Sequence, residues 1–128
     1  MRYLLLIYGA EDALPRGEEA RERMMAAHRA LIAGLRADGT YRASEALRPV
    51  AVATSVRSGP AAVAATDGPF AETKEQLAGF YLIDCPDLDY AIACAGRIPN
   101  AAWGTIEIRP IMEHGVDLAA VRMPGAEA

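Results

Sequence analysis

Apolar residues run without a break from Tyr3 to Tyr8, which predicts a strand buried on both faces. Gly9 to Pro15 reads as a loop. From Gly17 to Ala37 the period changes. Met24, Met25, Ala27, His28, Leu31, Ile32 and Leu35 recur at spacings of three and four, while Arg21, Glu22, Arg29 and Arg36 fall mostly on the other side. That pattern predicts an amphipathic helix, and Asp38-Gly39 supplies its stop signal. Thr40 to Leu47 is a weak strand candidate. Val50 to Arg57 alternates, Ser58-Gly59-Pro60 turns, and Ala61 to Thr66 returns, predicting a hairpin. In Asp67-Gly68-Pro69-Phe70 an Asp side chain, a permissive Gly and a φ-fixing Pro together predict a turn, with Phe70 filling core beneath it or lining a cleft mouth. Thr73-Lys74-Glu75-Gln76 has the form of a capping box and predicts a short helical turn. Leu77 to Asp84 is a strong strand. Pro86-Asp87 opens a second helix to about Ile98, with Leu88, Ala91, Ile92 and Ala95 inward, and Trp103 to Ile111 is the last strand.

The order β-α-β-β(β)-β-α-β predicts an α+β, ferredoxin-like protomer, an antiparallel sheet with both helices on one face. The domain spans residues 1–114, followed by a patternless C-terminal tail, residues 115–128. Two helices cover only one face of such a sheet, yet Tyr3–Tyr8 and Phe80–Ile83 are apolar on both. A second copy of the chain is the simplest cover, so the expected assembly is a homodimer whose facing sheets enclose a cleft.

Composition narrows the function classes. The chain has 128 residues, 52% of them hydrophobic and 23% charged, which suits one globular domain rather than a disordered one. The net charge of -4 disfavours a nucleic-acid partner, which would reward clustered Lys and Arg. No apolar run approaches the roughly 20 residues of a membrane helix, and the N-terminal run lacks the form of a signal peptide. A cytoplasmic protein without a membrane partner is expected. Cys85 and Cys94 lack zinc-type spacing and read as small core residues. Nucleotide loops, H-E-x-x-H and a nucleophile elbow are all absent, so no metal or other cofactor is expected.

The stretch from Thr66 to Tyr81, reading TDGPFAETKEQLAGFY, resembles the signature of the DGPF-type branch of the YCII-related proteins. Glu107-Ile108-Arg109-Pro110 resembles the last strand of the same family, and the likeness runs from about Tyr3 to Ile111. The resemblance implies a dimeric α+β barrel. Most relatives of that branch have no assigned activity, and some occur beside or fused to extracytoplasmic-function sigma factors. In the broader family a His on the first helix and an Asp near the end of the second form a proposed pair, and a few distant members dehydrochlorinate chlorinated ring intermediates. His28 looks like the match to that His. The region of the Asp reads Gly96-Arg97-Ile98-Pro99-Asn100, so the acidic partner is missing.

Candidate site residues follow from chemistry and place. His28 has the titration range of a general base, against the plainer role of a helix-face histidine that packs. Asp67 either faces a ligand or organises its turn. Lys74, the only lysine, is a possible anion contact or a loop ion pair. Glu107 and Arg109 alternate with Ile106 and Ile108, which places them on the dimer-covered face. There Arg109 pairs with Glu107 or with Asp67, or Arg109 holds a ligand carboxylate or phosphate while Glu107 orients the ligand. Tyr81 is expected in the core or lining the same cleft. Two functions fit these residues. One is a cofactor-free enzyme or binder for a small anionic, partly apolar molecule. The other is a non-catalytic regulatory dimer with a protein partner.

Overall fold

The computed structural model describes residues 1–60 and 62–113; the tail from residue 115 lies outside the described residues. Six strands and two α-helices follow in the order β1 (Arg2–Gly9), α1 (Glu18–Ala37), β2 (Tyr41–Ala46), β3 (Thr54–Ser58), β4 (Val63–Asp67), β5 (Gln76–Asp84), α2 (Leu88–Arg97) and β6 (Gly104–Pro110). The main sheet is antiparallel with order β2-β5-β1-β6, the arrangement of a ferredoxin-like α+β fold. Strands β3 and β4 form a separate two-stranded sheet.

The helix stops are chemical. At the end of α1, Gly39 N–H donates to Arg36 O and Thr40 N–H to Leu35 O, a Schellman pair that satisfies carbonyls the helix leaves open. Gly39 takes φ +73°, the left-handed conformation that this ending requires. At the start of α2, the Asp87 carboxylate accepts the Tyr90 N–H at 2.9 Å.

The core lies between the helices and one sheet face. Tyr3, Leu5 and Ile7 of β1, Tyr81 and Ile83 of β5, Leu31 and Leu35 of α1, and Ala91, Cys94 and Ile98 at α2 pack together there. Both cysteines are buried and free. Within the single chain, strand β1 is therefore buried on one face. Leu4, Leu6 and Tyr8, with Phe80 and Leu82 beside them, are only half-buried on the other face. Cross-strand register extends that open face to Glu107 beside Leu6 and Arg109 beside Leu4, while Ile106 and Ile108 pack towards the core.

Several local expectations are corrected. The inward face of α2 is Ala91, Cys94 and Ala95; Leu88 and Ile92 are 49% and 53% exposed. Small side chains let the helix lie close to the sheet, and this fixes its rotation. The segment Val50–Val52 is a 3-10 turn, not strand. No helical turn forms at Thr73. Its hydroxyl donates to Glu75 O, the Gln76 amide donates back to Thr73 O, and Gln76 already begins β5. The local hydrogen bonds of a capping box are thus spent on entering a strand. Phe70 is 83% exposed instead of filling core. Among the described residues the Asp67 side chain makes no hydrogen bond. The turn is held instead by Gly68, at φ +97°, whose N–H donates to Ala53 O and whose carbonyl accepts from Ser55 Oγ. No helix among the described residues is long and apolar enough to cross a membrane.

Candidate functional site

The buried stripe of α1 continues one turn past Leu31 to His28, by the three-residue spacing of a helix face. This places the imidazole over the helix-facing side of β5, with its ring stacked on Tyr81 at a centroid distance of 5.8 Å. The Tyr81 hydroxyl lies 2.6 Å from His28 Nδ1. On the other side of the ring, Nε2 lies 2.8 Å from Asn100 Oδ1. Asn100 is buried in the short 3-10 turn Pro99–Ala102, which links α2 to β6.

These contacts set the protonation pattern. A carboxamide oxygen can only accept, so Nε2 carries the proton and donates it to Asn100. Nδ1 is then the bare nitrogen and accepts the Tyr81 hydroxyl. The result is a directed chain, Tyr81 O–H to His28 to Asn100. Burial pushes His28 below the ordinary imidazole value, against an opposing pull from the Asn100 hydrogen bond. Burial first, and Tyr41 second, push the Tyr81 phenol up to about 12. At neutral pH both groups are uncharged. Every buried side-chain polar atom among the described residues has a partner.

The chain borders a cleft. An inner cavity of about 490 Å³ is lined by His28, Tyr81 and Asn100 together with Ile7, Met24 and Ile32. An outer cavity of about 620 Å³ shares Leu14, Met24, Met25, Leu47, Ala78 and Asn100 with it, so the two are parts of one opening. The sequence explains the space. Only Leu31 and Leu35 of α1 are buried, both in its C-terminal half; the N-terminal half spans the sheet with flexible methionines. At the same end the β1–β5 register slips between Ile7 and Tyr8, where β5 carries the extra residue Ala78.

The structure brings together only two of the sequence-predicted site residues, His28 and Tyr81. Glu107 and Arg109 are exposed on the opposite face of the sheet, so Tyr81 does not share a cleft with them. Among the described residues they form no ion pair with each other or with Asp67. Asp67 ends the outlying β4, and Lys74 is exposed in the loop before β5; neither lines the cleft. Asn100 is the site residue that sequence reasoning passed over. The signal was present, since an amide stands in the region where the family resemblance placed an Asp, and an amide oxygen accepts from imidazole as a carboxylate does. Among the described residues no group of three or more His, Cys, Asp or Glu is placed to hold a metal ion.

The model of the YCII-related domain matches residues 1–114. An uncharacterized protein of Rhizobium meliloti (strain 1021) is 38% identical over 114 residues, covering 87% of this chain and 92% of that protein. Match and fold agree, and the chain belongs to the YCII-related family.

Proposed function

We propose that the cleft between α1 and the sheet binds a small, partly apolar molecule and that the Tyr81–His28–Asn100 chain moves a proton there without a cofactor. The observation that carries this reading is the directed hydrogen-bonded chain on the wall of a largely apolar cavity. In the step it supports, the Tyr81 oxygen accepts a proton from the substrate as its own proton passes to His28 Nδ1. The imidazolium so formed keeps Nε2–H on the Asn100 carbonyl. A neutral amide stabilises that cation less than a carboxylate would, so His28 is a weak base suited to an already acidic C–H, such as one beside a carbonyl.

The open face supports a homodimer. Leu4, Leu6, Phe80 and Leu82 form an apolar row that the chain's own helices leave half-covered. Glu107 and Arg109 lie on the same face as that row, so they belong to the surface a facing copy would cover.

The test is deuterium exchange. Small carbonyl acids and lactones are incubated with the protein in heavy water, and C–H signals are followed by NMR. Wild-type protein exchanges at least one compound above background; Tyr81→Phe and His28→Gln both abolish that exchange. Exchange that persists in both variants, or none across a broad set, overturns the proton-transfer reading. Native mass spectrometry of the same samples reads the dimer, and a monomer at micromolar concentration removes the facing-sheet assembly.

A further inference from the structure

We propose that Arg16 and Arg21 form an anion-holding mouth to this cleft, so that its ligand carries a carboxylate at one end and an apolar body at the other. The inference rests on the cleft being a ligand site and adds where the charge is held. Both arginines line the outer cavity, Arg16 from the loop before α1 and Arg21 from the helix's first turn. Among the described residues neither forms a salt bridge, as holds also for Arg23, Arg36, Arg48, Arg57, Arg97 and Arg109; Arg16 and Arg21 are set apart by lining this cleft together. Guanidinium groups outnumbering carboxylates at the rim of an apolar opening attract an anion and can grip a carboxylate through two N–H donors.

Two acidic residues, Glu11 and Glu45, line the cleft beside the two arginines. Glu11 lines the mouth and its Oε2 accepts the Val50 N–H at 2.9 Å; one carboxylate against two guanidiniums leaves the mouth net cationic. Glu45 borders the inner cavity, yet its register opposite Phe80 places its Cβ on the open face of the sheet. Inward from the arginines the wall turns to Leu14, Met24 and Met25 and ends on His28 and Tyr81. A molecule gripped at the mouth by its anionic end therefore lays its apolar body towards the proton-moving chain. Arg109, on the far face of the sheet, takes no part.

Trp103, the only tryptophan, lines the same mouth and reports occupancy by its fluorescence. The experiment titrates the full chain with 4-phenylbutyrate and with its uncharged amide, 4-phenylbutyramide. The carboxylate is expected to bind about tenfold tighter than the amide. In the double variant Arg16→Gln/Arg21→Gln the two affinities converge to within about twofold while amide binding is retained, which also shows that the variant is folded. Arg109→Gln keeps the preference for the carboxylate. Equal affinities in the wild type, or a preference that survives the double variant, overturn the anion mouth and leave the cleft standing. Failure of both probes to change Trp103 emission or the amide NMR spectrum overturns the cleft as a ligand site, and the mouth with it.

Discussion

The helix-covered half of the sheet and the β3–β4 hairpin are built on opposite terms. In the first, Leu5, Leu35, Ile83 and Ile98 are almost wholly withdrawn from water, and the polar groups among them are matched one to one. In the second, every residue of β4 is exposed, with Val56, Val63 and Phe70 facing solvent. Yet the Asp67–Phe70 stretch beside that hairpin is the most recognisable piece of the sequence. The segment easiest to identify is the one least integrated into the core, and the hydrogen-bonded site lies where the sequence offered one histidine and an unremarkable asparagine. A local motif reports a local constraint, here a turn, and a site of this kind depends on segments 28, 81 and 100 residues into the chain meeting in space.

The contrast is broken most strongly in the core. Leu35→Ala leaves a cavity between α1 and the sheet and is expected to cost about 2–5 kcal/mol, read from denaturant unfolding. A loss below about 1 kcal/mol would mean that α1 is not held by its buried stripe.

An intermediate effect comes from His28 and depends on pH. Its value in the folded protein lies below the ordinary 6.5, so the unfolded chain binds the proton more readily. Stability is thus unaffected by this group well above pH 6.5. It falls as the pH drops below 6.5, until the folded value is passed. Thermal unfolding in that window is expected to be steeper in pH for the wild type than for His28→Gln. Asn100→Asp sharpens the test, because a carboxylate beside Nε2–H favours the imidazolium and raises the titration midpoint of the His28 ring signals in NMR. A midpoint that does not move would place Asn100 away from His28 in solution.

The smallest effect is expected at the hairpin. Phe70→Ser removes a side chain that is already 83% exposed and changes the stability of the single chain by no more than about 0.5 kcal/mol. A loss of about 2 kcal/mol or more would show that Phe70 is buried in the assembled protein, and would join the hairpin to the interface.

Most of the regular elements were legible in the residue pattern. Strand and helix periods set β1, α1, β5, α2 and β6, the Asp38-Gly39 stop and the Asp87 cap ended and began helices as read, and alternation put Glu107 and Arg109 opposite Ile106 and Ile108. These features depend on neighbours within a turn or a strand, and such neighbours are written side by side in the chain. The remaining features came from contacts between distant segments. The half-burial of β1, the rotation of α2 onto its small residues, and the strand entry at Gln76 were chosen by packing between distant elements. The site was decided in the same way. His28 was legible as a residue, but its hydrogen bonds to Tyr81 and Asn100 span 53 and 72 positions of sequence. No local period encodes a separation of that size. It exists because the antiparallel register of β5 and the turn after α2 bring a phenol and an amide to the two sides of one imidazole.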